Sequence, residues 1–209
     1  KYLKQLFEIQ SDVYISNRCS IHIHLNALDM TLSNIKTFLV YYLIFEKALY
    51  NYSGKRWTNI FCVPLHEWLN AYKFGQTFKG INNIEGNWEK YSGLNLLSLH
   101  QHGTIEFRQM TGNTNPVYIQ NWIDMIVSLK TYSMTKTFEE AYSDLATLNS
   151  TSAYWYLIDS IFGNLAIALQ YPEFKQDIES CIANAKLCLM HKNKIIKLVE
   201  PNQKQDPTN

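Results

Sequence analysis

The fold class predicted for this chain is α+β: an antiparallel sheet with helices packed on one face, followed by a mostly helical C-terminal region. Three observations carry that reading. Residues 19–26 (CSIHIHLN) and 103–109 (GTIEFRQ) alternate polar and apolar side chains, the period of two that a strand imposes. Between these segments, apolar residues recur at helical spacing. From Pro116 onward helical spacing is almost unbroken, which confines the strands to the first half.

Taken in order, Leu3, Leu6, Phe7 and Ile9 have the spacing of a helix already under way, and the chain opens with Lys1 rather than Met. The numbered chain is therefore expected to begin inside a longer protein. After the first strand, Leu32, Ile35, Phe38, Leu39, Tyr42, Leu43, Glu46 and Leu49 trace a helix, with Asp29 or Thr31 as its N-cap. Residues 52–55 end it. Pro64 opens a short helix through Leu65, Trp68, Leu69 and Tyr72, since proline is tolerated in a first turn. Residues 75–87 hold three glycines and three asparagines and are expected to form a loop or irregular hairpin. Residues 91–100 read as a strand that turns at Gly103 into the Glu106 strand.

Asn115-Pro116 is an N-cap followed by proline at the first helical position. Thr137 with Glu140 fits a capping box. Further helices are expected over 150–171 and 173–199, the latter broken near His191. The expected organisation is a domain over 1–135, a helical extension over 136–199 and a flexible tail over 200–209, where no apolar residue follows Val199.

Composition removes several function classes. The 209 residues are 46% hydrophobic and 18% charged with a formal net charge of +1, which offers no electrostatic footprint for nucleic acid. The longest apolar run, residues 38–45, falls far short of the roughly 20 residues needed to cross a bilayer. Four scattered cysteines make no disulfide framework; Cys181 and Cys188 lie two helical turns apart, too far to bridge. Reduced thiols and a cytoplasmic setting are expected. No Gly-x-x-x-x-Gly-Lys loop occurs, which excludes a P-loop enzyme.

The chemistry concentrates in the two strands. Ser20, His22, His24 and Asn26 share one face of the first; Thr104, Glu106 and Arg108 share one face of the second. Alternation by itself is what any half-solvated strand shows. Two imidazoles where Thr or Lys would serve solubility, set beside a Glu and an Arg, instead suit a divalent metal with a phosphate or carboxylate next to it. His66, His100, His102 and His191 have no partner at metal spacing and read as surface or packing residues; His100 and His102 flank the turn near Glu106, so any substrate contact among the four belongs to them, while Lys192, Lys194 and Lys197 read as a solvated face.

The order and spacing of four segments resemble the amidoligase family of bacteria, phages and fungi. These segments are 19–24 (CSIHIH), Arg56 with 61–65 (FCVPL), Lys90-Tyr91 with 94–96 (LNL), and 103–108 (GTIEFR). Ser20 stands where glycine is usual. The resemblance implies the catalytic fold of glutamine synthetase and glutamate–cysteine ligase, and ATP-dependent joining of a carboxylate to an amine. It assigns His22 and Glu106 as Mg2+ ligands, His24 to nucleotide phosphate, and Arg108 to the transferring phosphoryl group. Lys90 and Asn95 are assigned to nucleotide or phosphate contact. The cofactors implied are ATP and Mg2+; the partner is a small molecule or peptide carrying a carboxylate and an amine, with no nucleic acid and no membrane. The family's early Glu-x-Glu strand, a source of further magnesium ligands, has no counterpart in the chain, where Glu8-Ile9-Gln10 does not match. That strand is expected upstream of Lys1. A catalytically degenerate binding or structural module and a metal-dependent hydrolase are the competing readings.

Overall fold

The computed structural model describes residues 5, 15, 16, 19–170 and 174–190. The helix expected over 1–9 falls, but for residue 5, outside them, as do His191, Lys192, Lys194, Lys197 and the tail. Among the described residues the elements run β1 (Ser20–Asn26), α1 (Leu32–Tyr52), α2 (Leu65–Trp68), α3 (Ala71–Thr77), α4 (Asn83–Asn87), β2 (Leu94–Asn95), α5 (Ser98–His102), β3 (Thr104–Thr111), α6 (Pro116–Met134), α7 (Phe138–Thr147), α8 (Thr151–Phe162), a 3-10 segment (Gly163–Leu169) and α9 (Phe174–Leu189). The fold is α+β, as the two periodicities require.

The sheet is antiparallel in the order β1-β3-β2. The His22 and Glu106 strands are therefore neighbours, and His24 lies opposite Glu106. The inner face carries Leu25, Leu94, Ile105 and Phe107, all buried. Phe107 is edge-on to Phe38 (6.1 Å) and Tyr42 (6.1 Å) of α1 and to Trp122 (6.2 Å) of α6, so these two helices cover the apolar side of the sheet. Helix α1 starts at a capping box between Thr31 and Asn34. Every residue from Thr37 to Glu46 is buried, because the sheet and α6 lie against it and α7 and α9 pack on it as well. Tyr41 donates to Asp144 of α7 at 2.7 Å, and Tyr154 of α8 to the Ile44 carbonyl at 3.1 Å. Among the described residues no helix is long and apolar enough to cross a membrane.

Three sequence expectations need correction. Only Leu94 and Asn95 of the expected strand over 91–100 join the ladder. The Asn95 carboxamide accepts from Leu97 N and the Ser98 hydroxyl donates to Thr104 O, and such local bonds win over strand pairing. The chain then forms α5, closed by Gly103 in the left-handed region (φ 63°). Residues 75–87 are not a loop throughout: they hold the end of α3 and all of α4. There Phe74, Phe78, Ile84 and Trp88 are buried, and tertiary packing outweighs the glycine cost. The helix expected over 150–171 breaks at Gly163 (φ 51°) and continues as the 3-10 segment.

Candidate active site on the open face of the sheet

Strand period places His22, His24, Glu106 and Arg108 on the face that the helices leave uncovered; one irregularity adjusts their aim. Ile21 pairs with Met110 and Ile23 with Phe107, so His22 stands opposite two residues, Arg108 and Gln109. This is a β-bulge, a feature that re-aims side chains and bends a strand. Gln109 turns inward and donates to Tyr42 Oη, Met110 is buried beside it, and Arg108 stays on the open face.

Glu106 is the hub. Its Oε1 accepts from His22 Nδ1 (2.9 Å) and from Arg108 Nη1 (2.9 Å); its Oε2 accepts from Asn95 Nδ2 (2.8 Å). Burial pushes the Glu106 carboxyl up, but the hydrogen bonds from His22 and Asn95 and the charge of Arg108 reverse this and hold its pKa at about 2. The residue is an anion at any physiological pH. The other ring nitrogen of His22, Nε2, lies 3.2 Å from the Ser20 hydroxyl. Arg108 is held at a second point, its Nε donating to Phe61 O at 3.2 Å. No protein acceptor among the described residues takes Nη2. A guanidinium fixed along two edges with one N–H pair free is a ready donor to an oxyanion.

The other expected site residues separate. His24 is on the same face but bonds Thr104 Oγ1 (2.9 Å), and its ring lies edge-on to His102 at 6.0 Å. Asn95 is buried and orients Glu106 rather than facing outward. Lys90 is exposed, its ammonium 5.6 Å over the Tyr91 ring. Sequence reasoning assigned no role at the cluster to Arg56 or Phe61, although both fall in one of the four segments quoted above. It placed His102 beside the turn near Glu106, and the fold of α5 brings that ring to His24.

Of the surface and packing readings offered for His66, the structure takes the second: the ring is partly buried and its Nδ1 donates to the buried Glu46 at 2.8 Å. Glu46 Oε1 accepts from Leu65 N (2.6 Å) and Oε2 from His66 N (3.2 Å), so one carboxylate ties down the start of α2. Burial lowers the pKa of His66, but its bond to Glu46 and that carboxylate's charge raise it overall.

Magnesium can be tested against the donors. Two ligands at right angles, each about 2.1 Å from a cation, are about 3.0 Å apart. His22 Nδ1 and Glu106 Oε1 stand at 2.9 Å, so a cation replacing the shared proton suits the pair. Among the described residues no group of three or more His, Cys, Asp or Glu side chains is placed to hold a metal. One carboxylate with phosphate oxygens and water is nonetheless a usual Mg2+ environment in nucleotide enzymes, so the donors fit an ion that arrives with phosphate.

The family model described as "putative amidoligase enzyme" matches residues 3–129, which span the whole sheet, α1 and most of α6. No match is found among curated proteins or among solved structures.

Proposed function

This chain belongs to the amidoligase family, and we propose that it is an ATP-dependent carboxylate–amine ligase working through an acyl phosphate. A carboxylate is a poor acyl donor because it would have to expel oxide. In the proposed reaction a substrate carboxylate oxygen takes the γ-phosphoryl group of ATP and ADP leaves. The amine then attacks the acyl carbon, loses a proton, and inorganic phosphate departs with the C–O bonding pair. The protein's share in the phosphoryl step is positioning and charge neutralisation.

The single observation that supports this best is the state of Arg108: anchored through Nε and Nη1, with Nη2 free, beside an ionised Glu106. Its charge is aimed before substrate arrives, the condition under which a cation stabilises a transferring phosphoryl group most. His22 and Glu106 would hold the magnesium ion, which supplies charge neutralisation across phosphate oxygens. Asn95 keeps the Glu106 carboxylate turned toward His22, and His24 and Lys90 are available to phosphate at the rim. The substrate is a small molecule or peptide offering a carboxylate and an amine, and the buried free thiols Cys62, Cys181 and Cys188 suit a cytoplasmic setting.

The degenerate binding module is the second reading. It is favoured by one observation: three protein donors already occupy the Glu106 carboxylate. Calorimetric titration with a non-hydrolysable ATP analogue separates the two. Binding that requires Mg2+ and weakens in His22→Ala and Glu106→Gln is the expected result. Unchanged affinity in both variants removes the metal role, and no binding at all leaves the module.

A further inference from the structure

Of the two arginines among the described residues, Arg56 is the more deeply buried, 9% exposed, and the site described above does not use it. It follows a tight turn in which Gly54 (φ 111°) and Lys55 (φ 56°) both adopt positive φ. Lys55 tolerates this at a steric cost, while Gly54 is required: a Cβ there would meet Thr111 side-chain atoms at 2.4 Å. The turn is thus pressed against the end of β3 and delivers Arg56 to that strand's edge. Nη1 donates to two main-chain carbonyls, Arg108 O (3.0 Å) and Met110 O (3.4 Å). Nε is buried without an acceptor, and no carboxylate among the described residues lies at ion-pair distance. A guanidinium buried this way is expensive, and for stability alone an apolar residue of similar length would serve better.

What the arrangement does accomplish is specific. The two carbonyls that Arg56 bridges belong to residues on either side of Gln109, so its guanidinium spans the bulge at Arg108 and Gln109 opposite His22. Gln109 ties the same bulge to Tyr42 from the inner face. Phe61, whose carbonyl receives Arg108 Nε, sits on a segment fixed at its far end by Glu46, at Leu65 N, and by the Tyr50 hydroxyl, at Cys62 O (2.7 Å). We infer that Arg56 is a positioning residue for Arg108: by clamping the main chain across the bulge it sets the direction in which the Arg108 guanidinium points. This rests on the proposed phosphoryl role of Arg108 for its purpose, though not for its test.

The test reads Arg108 directly, in the full chain and without nucleotide. The Nε–Hε proton of Arg108 is observed by 1H–15N correlation, assigned by its disappearance in Arg108→Lys, and its exchange with water is measured. In Arg56→Met this proton exchanges about tenfold faster, the protection that one ordinary hydrogen bond supplies. In Arg56→Lys, which can still donate to both carbonyls, protection stays close to that of the unaltered chain. Equal protection in the Met variant and the unaltered chain overturns the inference, whatever the loss in thermal stability. If Arg56→Met does not fold, Arg56→Gln is read in its place, with a partial loss supporting the inference and no change overturning it. Should the unaltered chain bind no ATP analogue, the proposed function fails while the exchange result stands. Where it turns over, Arg56→Met lowers kcat and leaves nucleotide affinity in place; a fall in affinity alone overturns the positioning role.

Discussion

Two carboxylate–imidazole pairs of nearly equal length sit on opposite sides of this sheet, and they have different work. Glu106 and His22 meet at 2.9 Å on the open face; Glu46 and His66 meet at 2.8 Å beneath it. Glu46 also holds the main-chain N–H groups of Leu65 and His66, which cannot leave without unwinding the start of α2, and the fully buried Tyr42 hydroxyl lies against it as well. The other partners of Glu106 are side chains, Arg108 and Asn95, and Arg108 keeps one N–H pair for which no described residue supplies an acceptor. A carboxylate satisfied by backbone is a fastening. One satisfied by side chains, with a cation left partly unpaired, can exchange its partners for a ligand.

That contrast breaks if the two sites respond alike to substitution. Glu46→Ala should cost about 3–5 kcal/mol in denaturant unfolding, because it leaves His66 and two backbone donors without their acceptor. A loss under about 1 kcal/mol would mean that water replaces the carboxylate and that Glu46 is no fastening. Arg108→Lys keeps the charge but loses the planar fork. ADP release dependent on both amine and carboxylate should fall roughly 100-fold, with the thermal midpoint little changed. Wild-type turnover in that variant would return Arg108 to an ordinary surface ion pair.

Acid and base should separate the pairs in opposite directions. The Glu106 pKa is depressed to about 2 from its ordinary 4.5, so its stabilisation is complete above pH 4.5 and is lost as pH falls toward 2. The His66 pKa is raised above 6.5, so its contribution is complete below pH 6.5 and is lost as pH rises through the folded-state value. Unfolding curves of the unaltered chain and His66→Ala should therefore converge on the alkaline side of pH 6.5; curves that stay parallel would show that the imidazole contributes no charge. The smallest effect belongs to His24. It is exposed, and among the described residues it bonds Thr104 and meets the His102 ring edge-on, so His24→Ala should change stability by no more than about 0.5 kcal/mol while weakening the ATP analogue. If affinity is untouched, His24 has no part in phosphate contact.

Much of this was legible in the chain itself. Thr31, Asn115-Pro116 and Thr137 with Glu140 start their helices as capping chemistry predicts. The period of two in residues 20–26 and 104–108 assigns His22, His24, Glu106 and Arg108 to one face before any contact is known. Each of these signals is local: backbone geometry alone decides which side a residue faces and where a helix can begin. What tertiary structure decided lies between residues far apart in sequence. The bulge at Arg108 follows from the register of β1 on β3, 80 and more residues apart. Asn95 becomes a support for Glu106 because a strand expected to run ten residues pairs over two. Glu46 meets His66, and Arg56 meets the carbonyls of Arg108 and Met110, because a buried polar group must find its partner wherever packing puts one. Spacing along the chain carries the direction of a side chain; it does not carry the identity of the group that waits there, since that depends on how separate elements close over a shared core.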